Sequence, residues 1–201
     1  MDGADEAVAA IRAGKPVILA TDTVYGLCAD PYRVGPVRRL ALLKERPPEM
    51  PIALLAAELD PILDAVPELR GRVAVTVRAL LPGAYTLVLP NPALRFPWLT
   101  GSRPETIGIR VPELPHDARA VVERVGVVAA TSANAHGAPD PRRVCEIPED
   151  VRRGAAVVVD AGELPGVPST VVDLTGAKPL VLREGAVPAD ETLTRIAEAI
   201  G

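Results

Sequence analysis

The sequence predicts an α/β fold in which a mixed sheet is flanked by helices, and two observations carry this prediction. In the early part of the chain, short apolar runs typical of buried strands, such as PVILA and IALLA, alternate with segments whose apolar residues recur at helical spacing. Near the end, the runs AAVVVD, STVVDLT and PLVLR follow one another in quick succession, as consecutive strands do. Alternating units favour parallel pairing and consecutive strands favour antiparallel pairing, so the sheet should contain both kinds.

The helices are predicted from apolar spacing and from the signals at their ends. ADEAVAAIRAG opens the chain and ends at Gly14, because glycine tolerates the left-handed conformation that closes helices. VGPVRRLALLKER is stopped by Pro47 and Pro48, which places Lys44 and Arg46 at the mouth of that helix. Further helices are predicted at DPILDAV, PELRGRVAVTVRALL, HDARAVVERVG, PEDVRRG and DETLTRIAEAI.

Three more strands are predicted in the middle of the chain, at YTLVL, TIGIRV and VVAAT. Residues on TIGIRV alternate, so Arg110 falls on the same face as Thr106 and Gly108. The stretch TDTVYGL, residues 21–27, puts hydroxyls, a carboxylate and an aromatic ring where the first strand ends. It is either the wall of a ligand site or a polar turn whose Asp and Thr cap the local backbone.

Composition predicts one folded domain over residues 1–201. The chain is 48% hydrophobic and 24% charged, and it has no polar linker, internal repeat or low-complexity tract. No apolar run approaches the roughly 18 residues that a membrane span needs. The first residues, MDGADEAVAAIRAG, are acidic where a signal peptide is basic. We therefore expect a cytoplasmic protein that makes no membrane contact.

Several classes of site are disfavoured by the residue inventory. Cys28 and Cys145 lie far apart and form no C-x-x-C pair, so neither a disulfide framework nor a zinc site is indicated. With His116 and His136 as the only histidines, a Ser-His-Asp triad is poorly supported. The sequence has neither a G-x-x-x-x-G-K-[ST] loop nor a G-x-G-x-x-G loop. A net charge of -4 argues against a broad nucleic-acid surface.

Short polar motifs recur at the predicted ends of strands and helices. They are TDTVYG, KER, TIGIR, TSAN, PST and LREG. Each one alone is better explained by solvated surface charge than by a site. Together they supply hydroxyls, an amide and several cations, which are the groups that hold phosphates and a carboxylate. The set therefore predicts a local anion pocket.

The order of these motifs resembles that of the YrdC family, the threonylcarbamoyl-AMP synthases. The matching segments are, in order, TDTVYGL, K-x-R-P, LPGAYTLVL, TIGIRVP, TSAN, PSTVVDL and LREGAV. They run from about residue 14 to residue 187, and the resemblance is to the short bacterial type, which lacks the extra C-terminal domain of longer members. It implies a YrdC-like fold, a twisted mixed parallel and antiparallel sheet around a cationic cavity.

The resemblance also implies an activity. Such enzymes are nucleotidyltransferases that combine L-threonine, bicarbonate and ATP, with Mg²⁺ on the nucleotide, into threonylcarbamoyl-AMP and pyrophosphate. Downstream threonylcarbamoyl-transferase proteins then modify adenosine 37 of tRNAs that read ANN codons. The threonine amine captures carbon dioxide and the carbamate attacks the α-phosphorus, so no residue need act as a nucleophile.

Site residues are implied by matching motif positions. The family pattern places Lys44 and Arg46 in the catalytic role. It implies an ATP site made of Lys44, Arg46, Thr106, Ser132, Asn134, Asp140 and Arg183. It implies an L-threonine site made of Thr23, Tyr25, Arg110, Ala130 and Ser169, although for Tyr25 a core position is an equal alternative.

The chain departs from the family pattern at four positions. Met50 stands where an Asn is usual and Leu55 where a His is usual, so two polar ligands become apolar. Cys28 replaces a glycine, and Asp140 replaces a serine near the nucleotide. These changes bear on threonine affinity or on the choice of amino acid.

Two other functions compete with the synthase. One is a divergent family member that binds nucleotide but has changed or lost the amino-acid reaction. The other is an RNA-binding module, because a concave cationic cavity attracts a phosphate backbone, and a weak tRNA contact would fit either case. The acidic net charge and the 2% content of aromatic residues count against the module.

Overall fold

The structure, a computed structural model, describes residues 3–69 and 71–200. Its strands are β1 (Val17–Ala20), β2 (Tyr25–Ala29), β3 (Ala53–Ala56), β4 (Tyr85–Pro90), β5 (Thr106–Arg110), β6 (Val127–Ser132), β7 (Val157–Val159), β8 (Thr170–Asp173) and β9 (Leu180–Arg183). Its helices are α1 (Gly3–Arg12), α2 (Val34–Leu43), α3 (Leu59–Ala65), α4 (Gly71–Leu80), α5 (His116–Val125), α6 (Glu149–Gly154) and α7 (Ala189–Ile200), and a 3-10 turn spans Val144–Glu146.

The strands join into one nine-stranded sheet of mixed direction. Their order across the sheet is β7-β1-β2-β6-β3-β5-β4-β8-β9. The pairs β1/β7, β3/β5 and β4/β8 are parallel, and the other five pairs are antiparallel. The predicted mixed sheet flanked by helices is confirmed.

The two faces of the sheet carry two separate apolar clusters. Neighbouring strand residues divide between them, as Leu54 and Leu55 do on β3, because successive side chains point to opposite faces. One cluster packs the sheet against α2, α4 and α7. The other packs it against α1 and α5, which contact each other and lie over β1, β6 and β7.

The face under α1 and α5 is covered unevenly, and this opens a cavity. Cys28 and Ala130 lie in the α1/α5 cluster, and Gly26 and Ser132, two residues along the same strands, lie on the same face but line the cavity. The cavity floor continues through β5, β4 and β8 with the alternating set Thr106, Gly108, Arg110, Thr86, Val88 and Val171. The predicted strand face of Arg110 is therefore a cavity face.

The stretch TDTVYGL contains a strand that the sequence did not reveal. Residues 22–24 form a bend, and β2 then pairs antiparallel with β1 and with β6. Every residue of β2 is buried, because the strand lies inside the sheet with apolar packing on both faces. Its sequence, YGLCA, shows neither the polar alternation of a half-exposed strand nor the continuous run of Val, Ile and Leu that revealed the buried β1.

The predicted helix over residues 67–81 is shorter than expected. Its first residues form a turn closed by a hydrogen bond from the Leu69 amide to the Val66 carbonyl, and α4 begins at Gly71. Residue 70 lies outside the described residues. Within the described ranges, no helix combines the length and the apolarity that crossing a bilayer requires.

Candidate functional site

The cavity brings together most of the residues that the motifs predicted. Its volume of about 330 Å³ lies in the range of small-molecule sites. The predicted residues that line it are Arg46, Thr106, Arg110, Ala130, Ser132, Asp140, Ser169 and Arg183. The predicted residues outside its lining are Thr23, Tyr25, Lys44 and Asn134.

The lining of the cavity is rich in cationic side chains, two of which are paired with carboxylates outside the lining, Arg110 with Asp22 and Arg103 with Asp173 and Glu105. Four guanidinium groups line it, those of Arg46, Arg103, Arg110 and Arg183. Among the described lining residues, Asp140 carries the one carboxylate. Hydroxyls of threonine and serine fill the space between the cations. Such a site suits a ligand with several anionic groups, which agrees with the anion pocket that the motif set predicts.

Asp22 and Thr23, the second and third residues of TDTVYGL, hold Arg110 from outside the cavity. Its Nη2 donates to Asp22 Oδ1 at 3.0 Å and to Thr23 Oγ1 at 3.2 Å, and neither acceptor lines the cavity. The two charged side chains are 13% and 12% exposed. Burial raises the pKa of Asp22 and lowers the pKa of Arg110, in each case against the attraction of the opposite charge. The ion pair therefore fixes the orientation of a largely dehydrated guanidinium.

The contacts of Thr21 show that both interpretations of TDTVYGL apply. Its hydroxyl donates to the Val24 carbonyl at 2.6 Å and accepts from the Thr23 and Val24 amides at 3.3 Å. The same residue also lines the cavity. The segment is thus a capped polar turn and a cavity wall at once, because Thr21 and Val24 line the cavity while the other two residues of the turn lie outside it.

Arg46 connects two edges of the cavity. Its Nη1 donates to Thr131 Oγ1 at 3.1 Å on β6, and its Nη2 donates to the Pro51 carbonyl at 2.6 Å ahead of β3. The Nε atoms of Arg46 and Arg110 are buried and have no hydrogen-bond partner among the described residues. Each arginine therefore keeps one buried N–H group without an acceptor in the described part of the chain. A buried donor of this kind lowers the stability of the fold by about 1–3 kcal/mol.

Lys44 lies beneath the cavity wall rather than in it. It is 2% exposed, and its Nζ donates to the Asn134 carbonyl at 2.7 Å, to Asn134 Oδ1 at 2.6 Å and to the Ser132 carbonyl. Burial lowers its pKa to about 8, and the nearby Arg46 acts in the same direction while Asp140 opposes it. All three ammonium protons therefore have acceptors in the loop that follows β6.

Asn134 organises that same loop. Its Oδ1 accepts from Ser132 Oγ at 2.6 Å as well as from Lys44, and its Nδ2 donates to the Ala138 carbonyl at 2.5 Å. It is 8% exposed and outside the lining, whereas Ser132 lines the cavity. In this arrangement the amide of Asn134 sets the shape of the loop that presents Ser132.

Ser169 and Arg183 form the opposite wall. Arg183 Nη2 donates to the Ser169 carbonyl at 2.8 Å, and the hydroxyls of Ser169 and Thr86 are hydrogen-bonded at 2.8 Å. Ser169 lies just before β8 and Arg183 ends β9, so the antiparallel pairing of these strands brings the two together. This wall joins a cation to two hydroxyls.

The structure corrects the prediction that Tyr25 contacts a ligand. Its side chain is fully buried in the apolar cluster on the opposite face from the cavity, and its hydroxyl donates to Asp160 and to the Gly162 carbonyl. Burial and the Asp160 hydrogen bond raise its pKa to about 12. Tyr25 is the core tyrosine of the alternative interpretation, because it begins β2 on the face turned away from Gly26.

The two apolar departures from the family pattern lie in different environments. Leu55 lines the cavity and is 1% exposed, since it also packs in the α1/α5 cluster. Met50 is 38% exposed and is not among the lining residues. Of the two, Leu55 is the one placed to affect a ligand.

Sequence reasoning missed several polar residues of the site. Arg103 and Ser102 line the cavity from the proline-rich connection between β4 and β5, which the sequence presents only as a linker. Thr86 is hidden within the apolar run YTLVL, where alternation was the available signal. Asp22 was visible within TDTVYGL, but its pairing with Arg110 joins residues 88 positions apart.

The fold and the cavity define an α/β protein with a cavity of small-molecule size that is lined by several arginines. Comparison with known proteins agrees with this class and narrows it. The model of the Sua5/YciO/YrdC family, described as telomere recombination, matches residues 9–185. The chain belongs to this family, as the motif order indicated.

Individual relatives align with most or all of this chain. A Mycobacterium tuberculosis protein is 37% identical over 99% of this chain and 89% of its own length. The threonylcarbamoyl-AMP synthase of Stenotrophomonas maltophilia is 35% identical over 81% of this chain and 88% of its own. The structure of P. abyssi Sua5 complexed with L-threonine superimposes with a TM-score of 0.85 at 32% identity, over 100% of this chain and 58% of that one. This chain therefore spans little more than half of P. abyssi Sua5.

The ion pair behind Arg110 yields a stability prediction. Asp22→Asn leaves the largely buried guanidinium without its counter-charge, so the free energy of unfolding should fall by about 3–5 kcal/mol. Urea denaturation followed by circular dichroism measures this change. Glu123→Gln removes the carboxylate of an exposed pair with Arg119 and should cost at most about 1 kcal/mol. Equal effects of the two substitutions would show that the Asp22 pair has no special structural role.

Proposed function

We propose that the protein is a threonylcarbamoyl-AMP synthase, which forms threonylcarbamoyl-AMP and pyrophosphate from L-threonine, bicarbonate and ATP. The observation that carries the proposal is a single cavity lined by four guanidinium groups in a chain that belongs to the Sua5/YciO/YrdC family. The names of relatives support it, since members of this family are threonylcarbamoyl-AMP synthases and one is known in complex with L-threonine.

The threonine carboxylate is proposed to bind Arg110. Asp22 and Thr23 occupy Nη2 of that guanidinium from outside the cavity, which leaves the group oriented toward the lining. Ser169 supplies a hydroxyl on the neighbouring wall. A carboxylate that pairs with Arg110 gains a charge-assisted hydrogen bond, worth about 1.5–3 kcal/mol.

ATP is proposed to occupy the rest of the lining. Arg46 and Arg183 offset the charge of the phosphates, and Thr106 and Ser132 supply hydroxyls at strand ends. Asp140 sits among these cations as the carboxylate of the lining, which fits a Mg²⁺ ion carried by the phosphates. When bound, Mg²⁺ neutralises charge on the departing pyrophosphate.

In the proposed reaction the protein mainly positions the substrates and stabilises the charge that develops on the phosphoryl oxygens. The carbamate formed on the threonine amine attacks the α-phosphorus, the bond from that phosphorus to the pyrophosphate oxygen breaks, and pyrophosphate leaves. Fixed guanidinium groups near the phosphoryl oxygens favour the transition state because they need no reorganisation during the reaction. Lys44 and Asn134 contribute indirectly, since they hold the loop that presents Ser132.

The product is proposed to feed modification of adenosine 37 in tRNAs that read ANN codons. Threonylcarbamoyl-AMP is a mixed anhydride, so a transferase that presents a nucleophilic adenosine amine consumes it. We propose that this happens in the cytoplasm, where those transferase proteins and tRNAs meet.

The first test is substrate-dependent pyrophosphate release. With Mg²⁺, release from ATP should require both L-threonine and bicarbonate, and mass spectrometry should detect threonylcarbamoyl-AMP. Arg46→Ala should weaken ATP binding by about 1.5–3 kcal/mol, whereas Arg39→Ala, on an exposed position of α2, should leave it unchanged. Release that is independent of threonine, or that needs another amino acid, contradicts the proposed substrate.

The low pKa of Lys44 predicts a pH dependence for ATP binding. Nearby phosphate charge favours the protonated amine, so binding should take up protons near pH 8 and weaken as pH rises above the pKa of about 8. Isothermal titration calorimetry in two buffers of different ionisation enthalpy measures the uptake. Lys44→Met should remove it. An ATP affinity that stays constant from neutral pH to about pH 10 would contradict this role for Lys44.

The position of Leu55 in the lining leads to a prediction about threonine affinity. In Leu55→His the imidazole can donate to threonine, so the threonine KM should fall by up to roughly tenfold with ATP affinity unchanged. Leu54→His, on the other face of β3, places the same group in the opposite apolar cluster and should only lower the melting temperature. A Leu55→His protein that is destabilised and shows no lower KM would remove Leu55 from the threonine site.

A further inference from the structure

A second cavity, of about 390 Å³, lies apart from the proposed active site. The linings of the two cavities share no described residue. The second one, here called the aromatic pocket, is lined by Tyr32, Asp64, Ala65, Arg95, Phe96 and Trp98.

The aromatic pocket concentrates rings in a chain that has very few. The sequence contains one tryptophan, one phenylalanine and three tyrosines. Both Trp98 and Phe96 are in the pocket, together with Tyr32, which is 57% exposed. The remaining tyrosines, Tyr25 and Tyr85, are buried in the core. Phe96 and Trp98 are half-buried and pack against the main apolar core, whereas Tyr32 is largely exposed, so core packing does not account for the position of Tyr32.

The backbone that carries these rings is strained and firmly held. Leu94 and Phe96 have φ values of 51° and 49°, a left-handed conformation that bulky residues rarely adopt. Buried Asn91 fixes the loop, because its Nδ2 donates to the Arg95 carbonyl at 2.9 Å and its Oδ1 accepts from the Arg95 amide at 2.9 Å. Strain that the surroundings enforce in this way is concentrated at functional sites.

The rings are also fixed relative to one another. Trp98 Nε1 donates to the Pro31 carbonyl at 2.8 Å, which orients the indole. The rings of Tyr32 and Phe96 are tilted at 55° with centroids 5.5 Å apart. Tyr32 and Phe96 therefore pack against each other as a tilted pair. Fixed aromatic rings at a pocket are the groups that bind organic cations through their faces.

Among the described residues that line the aromatic pocket, Asp64 carries the one charge without an ion-pair partner. Arg95 is neutralised by Glu68, whose carboxylate accepts from Nε at 2.9 Å and from Nη2 at 2.6 Å. The neighbouring Arg33 is paired with Asp30. The exposed side chain of Asp64, in contrast, makes no hydrogen bond or ion pair with any described residue. A phosphate backbone would find no unpaired cation among the described lining residues, whereas a cation would find both rings and a carboxylate.

We propose that the aromatic pocket binds an arginine side chain presented by a partner protein. A guanidinium is planar, so it stacks on aromatic faces while its N–H groups pair with a carboxylate, and Asp64 supplies that carboxylate. The pocket is therefore a docking point for a protein surface and is independent of the substrates proposed for the first cavity. Interaction partners with an exposed arginine on a loop or a chain end fit it best.

Trp98 is the only tryptophan of the chain, so intrinsic fluorescence reports directly on the aromatic pocket. The full protein should be titrated at constant ionic strength with the peptide acetyl-Gly-Arg-Gly-amide and, separately, with the same peptide carrying citrulline. Citrulline keeps the shape of arginine but is neutral. We expect a saturable change in Trp98 emission with the arginine peptide and none with the citrulline peptide.

Two variants connect that signal to the proposed contacts. Asp64→Asn should raise the half-saturating concentration of the arginine peptide by roughly fivefold, the value of a single ion pair at a surface. Asp60→Asn, also on α3 but outside the pocket lining, should leave it unchanged. Both variants should keep the wild-type rate of pyrophosphate release, which reports on folding.

Three outcomes would overturn the proposal. One is the absence of a saturable response to the arginine peptide at millimolar concentrations. Another is an equal response to the citrulline peptide, which would assign the pocket to apolar contact alone. The third is saturable quenching by a single-stranded oligoadenylate that Asp64→Asn strengthens, which would make the aromatic pocket a base-stacking site.

Discussion

The uneven covering of one sheet face is the constraint on which the proposed active site depends. On the opposite face, α2, α4 and α7 pack against the sheet and complete an apolar core. On this face α1 and α5 cover only the end formed by β7, β1 and β6. Farther along, small residues such as Gly26, Ala53 and Gly108 occupy positions where larger apolar side chains would close the space. The cavity therefore exists because these positions carry small side chains.

Charges in the cavity lining and just beneath it are held at a cost in stability. Burial opposes the charged forms of both Arg110 and Lys44, and each is stabilised by fixed acceptors of neighbouring segments. Asp22 fixes the first, and the loop of Ser132 and Asn134 fixes the second. Replacing such pairs with apolar residues often stabilises a protein, so their retention is best explained by the need to orient cations.

The two cavities differ in the charge and in the aromatic content of their linings. The first is cationic, and its described lining contains no aromatic ring. The second has three rings and a carboxylate without an ion-pair partner among the described residues. A phosphorylated substrate is favoured in the first and repelled by Asp64 in the second. This division would let the protein contact a partner without competing with its own substrates.

The sequence by itself determined most of the helices and strands, the mixed sheet and the family, because apolar periodicity and ordered motifs are local properties of the chain. It also predicted that Arg46, Arg110 and Arg183 lie close together, and all three line one cavity. It could not show that β2 is a strand, since YGLCA has neither polar alternation nor the run of Val, Ile and Leu by which the buried β1 was recognised. Only the tertiary structure decided that Tyr25 is a core residue, that Asp22 pairs with Arg110 and that Lys44 lies beneath the cavity wall. Each of these depends on contacts between distant segments, which local pattern does not encode.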